Sequence, residues 1–204
     1  MDGDDSFDDP IARALLGQSA YERVRVRRRS LFKQHLSHKL ALQSAIFGVV
    51  ALVLPLAMTL PSSTQVLFPG GDPLSSTPKI LVLGAYAGAI QTVAALGLVY
   101  VGYQRLQRDE VMSEGEAAHL LNVEDAATTM SLVTGAAAVV TLDGFFILGH
   151  AGQDLLVKYI TAGGGNPFAS TDIPVTVPWV AIPAAILAVV LFALSRVFRR
   201  RLPA

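Results

Sequence analysis

The chain has no cysteine, which excludes disulfide staples, thiolate metal sites, thiol nucleophiles and a lipid-modified cysteine anchor. Four-helix membrane thiol oxidoreductases that hand electrons to quinones are excluded with them. Charge is scarce as well. Only 16% of the 204 residues are charged, where soluble domains run near a quarter. The phosphate-binding glycine loop, the hydrolase elbow, the metalloprotease helix and the dinucleotide fingerprint are all missing, and Gly163, Gly164 and Gly165 have no lysine or helix after them of the kind a phosphate cradle requires.

What is present is apolar length. Hydrophobic residues make up 52% of the chain and the mean hydropathy is +0.49. Four runs, 40–60, 80–103, 126–149 and 175–198, each hold at least 21 residues. At about 1.5 Å per residue, each is long enough to cross a hydrocarbon core of roughly 30 Å. None alternates as a membrane β-strand does. The expected fold is all-α: a polytopic membrane protein, a four-transmembrane-helix bundle with short loops, preceded by a cytoplasmic acidic tail and basic juxtamembrane segment (1–39) and closed by a cytoplasmic basic tail (199–204). No internal repeat relates the two halves, so the inverted-repeat plan of many transporters is not indicated.

The 16 basic and 16 acidic residues cancel, but their distribution does not. Fourteen of the basic residues lie before the first run, between the second and third, or at the end of the fourth; only Lys79 and Lys158 lie in the alternate loops. The positive-inside rule then places both termini and the middle loop (104–125) in the cytoplasm of a multi-pass cell-membrane protein. Trp179, Tyr100 and Tyr103 fall where aromatic rings prefer the headgroup layer. Asn122 and Asp125 read as a cap for a third helix starting at Val123. The acidic start (Asp2, Asp4, Asp5, Asp8, Asp9) carries no secretory-signal pattern and departs from a calcium loop at its glycine and glutamate positions. Arginine outnumbers lysine 12 to 4, a usage that suggests a prokaryotic source.

Candidate functional residues are few. Asp143 is the one charged residue well inside a span, and intramembrane acids mark proton or cation pathways or are structural acids with a bonded partner. Gln91, Tyr86 and Thr141 are its expected hydrogen-bond partners. His150 lies two turns beyond it, on nearly the same face. Small residues at four-residue steps, Gly84, Gly88 and Thr92 in the second span and Ala127, Ser131 and Gly135 in the third, read as helix-packing seams; the latter row continues through Val139 to Asp143. The basic run Arg23, Arg25, Arg27, Arg28 and Arg29 leads through Leu31, Phe32, Leu36 and Leu40 into the first span, as a segment lying among anionic inner-leaflet phosphates does. An alternative set of partners is the acidic middle loop with Glu114, Glu116, Glu124 and Asp125. His35, His38 and His119 match no closed zinc spacing, so no metal is expected, nor any other cofactor, nor nucleic acid. The function expected is a non-enzymatic structural, accessory or partner-binding subunit, homo-oligomeric or paired with another membrane subunit. The alternative is a small proton- or cation-coupled transporter or channel using Asp143.

Overall fold

The computed structural model describes residues 19–28, 34–108 and 112–202, and these are all-helical apart from one isolated β-bridge, between Pro78 and Ser170. Four helices are long and apolar enough to cross a membrane: Leu36–Met58, Lys79–Arg108, Glu114–His150 and Val177–Arg201. In chain order the elements are α1 (Ala20–Arg27), α2 (Leu36–Ala51), α3 (Val53–Met58), α4 (Ser62–Gln65), α5 (Lys79–Arg108), α6 (Glu114–Thr129), α7 (Ala136–His150), α8 (Gln153–Tyr159) and α9 (Val177–Arg201).

The first long helix is α2 and α3 with a break at Leu52. Pro55 has no amide hydrogen to offer the Ala51 carbonyl, and the Leu52 amide turns back to the carbonyls of Gly48, Val49 and Val50. The third is α6 and α7 joined by a π-helical segment, Met130–Gly135. A second proline, Pro183, sits inside α9.

The middle loop is far shorter than expected. α5 runs on to Arg108, and α6 begins at Glu114 instead of Val123. The cause is a capping box: Ser113 Oγ accepts the Glu116 amide at 3.3 Å, and the Glu116 carboxylate accepts the Ser113 amide at 2.9 Å. These contacts satisfy two groups a helix start leaves open. The extension buries Ala117, Leu120 and Leu121, and α1 packs on it with Ala20 and Tyr21 buried. Residues 20–27, in the basic juxtamembrane stretch, therefore form a helix packed on the bundle. The acidic start, Arg29, Leu31, Phe32, Asp109 and Glu110 lie outside the described residues.

The core has two parts. One, towards the end that carries α1, gathers Leu40, Phe47, Leu98, Leu120, Leu191 and Phe198. The other, at the opposite end, is built on Phe68, Phe146 and Phe168; Phe68 and Phe168 stack at 4.3 Å and Phe146 meets Phe168 edge-on at 5.5 Å. There the loops cap the helices: the Lys79 and Ile80 amides donate to Ala169 O (2.8 Å) and Pro167 O (3.0 Å), and Thr64 Oγ1 donates to Gly149 O at 2.7 Å. Outward, the long helices present large apolar side chains: Val93, Leu96, Val133, Val140, Ile186, Val189 and Trp179 are all more than half exposed. Inward lie amides and hydroxyls.

Candidate functional site

Three polar constellations occupy the bundle. At mid-height, Gln43 of α2, Gln91 of α5 and Ser131 of the π segment are all buried. Gln43 Nε2 donates to Gln91 O at 2.7 Å and also reaches Gln91 Oε1. Gln91 Nε2 donates to Ser131 O at 3.1 Å, and Ser131 Oγ lies 2.6 Å from Gln43 Oε1 and 2.7 Å from Gln91 Oε1, with one proton for the two acceptors. The amides approach closely because Gly135 has no side chain: a methyl there would collide with the Gln91 amide. Ser44 Oγ donates to Ala188 O at 2.7 Å, so hydrogen bonds join all four long helices. Each such interhelical bond contributes about 0.6 kcal/mol in a bilayer setting, up to about 1.7. Gln43 and Ser44 carry no mark in the sequence beyond being polar in an apolar run.

The second constellation closes the end that carries α1. Lys39 Nζ lies 2.7 Å from Glu124 Oε1, with side chains 2% and 4% exposed, and Tyr21 OH donates to Glu124 Oε2. Burial, reinforced by the Glu124 carboxylate, pushes the Tyr21 phenol well above its ordinary range. Beside it Arg105 Nη2 bonds Glu22 Oε1 at 2.9 Å, with its guanidinium 4.0 Å over the Tyr21 ring. The arginines of α1 join the same system. Arg23 and Arg27 each lie 3.7 Å from Glu114, Arg25 lies 3.2 Å from Glu22, and Arg28 reaches Ala118 O at 3.4 Å and Asn122 Oδ1. Four of the five residues read as phosphate contacts thus engage α6 or Glu22; the fifth, Arg29, is outside the described residues.

The third is Asp143 alone. It is 5% exposed, and neither carboxyl oxygen has a hydrogen-bond partner. Its expected partners are elsewhere: Gln91 is committed to Gln43 and Ser131, Tyr86 is 56% exposed, and Thr141 is exposed with its hydroxyl donating to Ala137 O at 2.9 Å. His150 caps the same helix through Phe146 O (3.1 Å) and Thr59 Oγ1 (3.0 Å).

The two small-residue rows are not partners. Ala127, Ser131 and Gly135 lie against α5, where they meet Gly97 and Gln91. Gly84 meets Leu142 of α7 and Val180 of α9, but nothing stands within 4 Å of a methyl built on Gly88, and Thr92 turns its hydroxyl to Gly88 O at 2.7 Å. Instead, Gly84, Gly88 and Thr92 line a groove of about 260 Å³ between α5 and α9, walled by Trp179, Pro183 and Leu187. Among the described residues no three of the metal-binding side-chain types converge. Comparison of the chain with protein-family models, curated proteins and solved structures finds no match to any of them.

Proposed function

We propose that the chain is an integral protein of the cell membrane, with both termini and the 109–113 connection cytoplasmic, that acts without catalysis as an accessory or partner-binding subunit. The observation that carries this reading is the stretch of small residues on α5 around Gly88, which no other helix of the chain covers closely. Small side chains let another backbone come close, and close packing is what drives association where lipid supplies no hydrophobic contrast. Here no helix of the chain itself takes that approach at Gly88. The buried amides and the Lys39–Glu124 pair are spent on internal bonds, which supports a structural over a reactive use. The absence of native cysteine makes the test direct. A Gly88→Cys protein carrying a photocrosslinker in native membranes is expected to yield one discrete adduct, a second copy or a partner subunit, which Ala85→Leu, at an exposed position lining the same groove, removes. No adduct, or a substrate-dependent activity of the purified protein, sinks the proposal.

A second reading, proton- or cation-coupled transport, has one observation in its favour: a buried carboxyl with neither oxygen bonded is a costly group to keep inside a span. It predicts that Asp143→Asn abolishes an ion flux in proteoliposomes while leaving the unfolding temperature unchanged or higher, because no hydrogen bond is lost. Equal flux for the two proteins, or no flux in either, rejects it.

A further inference from the structure

Between the start of α2 and the end of α9 lies a cavity of about 190 Å³ whose polar lining is His35, Ser37, His38, Arg105 and Arg199. Its apolar lining is Leu36, Phe198 and Leu202. We propose that this cavity is a binding site for the phosphate headgroup of an anionic phospholipid; the assignment rests on the membrane reading above.

Charge comes first. Three arginines, Arg25, Arg105 and Arg199, stand in or next to the cavity, and Glu22 pairs with the first two. Lys39 and Glu124 cancel each other below. Arg105 is 3% exposed, fixed by Glu22 along one edge and by the Tyr21 ring across its face, so the cation the cavity has to offer is Arg199. Arg199 is exposed and makes no ion pair with any described residue.

Hydrogen-bond donors come next. His35 is the N-cap of α2 and makes no side-chain cap bond; its carbonyl takes the His38 and Lys39 amides, which leaves those of Leu36 and Ser37 beside the Ser37 hydroxyl at the head of a 16-residue helix. Such amides favour an anion. Burial, then the Arg25 guanidinium, push the His35 imidazole below its ordinary value. His35 Nδ1 lies 3.5 Å from Arg25 Nη1, which leaves Nε2–H as a donor. The His38 ring is 6.2 Å away, tilted by 44°. An oxyanion with several acceptor oxygens matches this set; a cation does not.

Position favours a lipid over a free phosphate. Leu36 and Phe198 belong to the buried core, and Leu202, just past α9, is the part-exposed apolar side chain that an acyl chain leaving along the bundle surface would cover. The cavity also sits where the first and fourth long helices end, the level of the headgroups in the proposed topology.

The test uses the full chain in detergent, titrated with phosphatidic acid, phosphatidylglycerol and phosphatidylcholine of equal chain length and followed by native mass spectrometry. The two anionic lipids are expected to bind at least about tenfold more tightly than phosphatidylcholine, the scale of a charge-assisted hydrogen bond. Arg199→Gln removes that preference, and Ser37→Ala weakens it. Arg201→Gln deletes the same charge outside the cavity and leaves it intact. Equal loss in Arg199→Gln and Arg201→Gln, or no loss in Arg199→Gln, overturns the site. Displacement of the lipid by inorganic phosphate at matched concentration overturns the lipid assignment. Carbonate washing separates the two layers of the argument: a chain released from membranes overturns the membrane reading itself, while a chain that stays but shows no anionic preference overturns only the site.

Discussion

Glu124 receives both a lysine ammonium and a phenol in a place from which water is excluded. Such a pair adds little net stability, but deleting one partner leaves the other charge buried and uncompensated, at a cost of about 3 to 5 kcal/mol. Glu124→Ala is therefore expected to lower the unfolding temperature in detergent steeply, whereas the joint replacement Lys39→Met, Glu124→Leu and Tyr21→Phe stays close to the native value; a mild Glu124→Ala would refute the burial argument. The phenol adds a pH signature. Its folded value lies above the ordinary 10.0, so its contribution to stability is constant below pH 10 and is lost as pH rises beyond it, because only the unfolded chain then sheds the proton. Tyr21→Phe should remove that alkaline component from a stability profile measured between pH 8 and 11. Glycines divide on the same physical ground. Gly135→Ala drives a methyl into the Gln91 amide and should cost about 1 to 3 kcal/mol, as overpacking does, while Gly88→Ala meets open space and should be neutral in thermal unfolding.

At the scale of elements, the third long helix raises a question of phase. Ala127, Ser131, Gly135, Val139 and Asp143 are spaced by four and are all buried, yet at 3.6 residues per turn a four-residue row drifts by about 40° at each step. The π segment Met130–Gly135 absorbs residues at a wider turn and brings the row back to one face. Ser131 O accepts both the Ala136 amide and Gln91 Nε2. A π-bulge behaves as a one-residue insertion, so deleting the outward-facing Val133 should restore a regular helix with both flanks in register and cost only the hydrogen bonds of the bulge. Deleting the equally exposed Val140, in regular helix, should turn the segment from Asp143 to His150 by about 100° and abolish folding. Size-exclusion profiles of the two deletions would separate these outcomes, and similar behaviour of both would refute the bulge as a register device. The same contrast explains what could be read in the sequence. Twenty-residue apolar runs were legible as helices, because strands are far shorter and none of these runs alternates. The polar extension from Glu114 to Asp125 was not, because it is helical for a different reason: the Ser113–Glu116 capping box, which stands in the sequence as serine and glutamate three apart. The small-residue row of α5 shows that a close approach is possible, and only the structure reveals that helices of the chain make it at Gly84 and not at Gly88.

The whole molecule is apolar on its outer surface at mid-height and carries a few buried amides and hydroxyls within an apolar core, with its charge, Asp143 aside, held at the two ends. Among the described residues, the end carrying α1 and the close of α9 holds every basic side chain except Lys79 and Lys158. Many of these are neutralised by Glu22, Glu114 and Glu124 once the bundle has formed. Orientation is decided earlier, by the lysines and arginines themselves and not by net charge, so internal pairing does not weaken the inference that this end is cytoplasmic. The site residues were less legible than the topology for a related reason. A count of charges needs no partners, whereas the roles of Gln43, Lys39 and Tyr21 exist only through residues 48 to 103 positions away. Because native thiols are absent, a single introduced cysteine reports its side cleanly. In intact cells a membrane-impermeant maleimide should label Asp172→Cys, in the exposed loop before α9, and leave His119→Cys on α6 unlabelled until the cells are opened. The opposite pattern would invert the topology, moving the proposed phosphate cavity to the outer leaflet, and labelling of both before opening would show that the chain is not threaded as four spans.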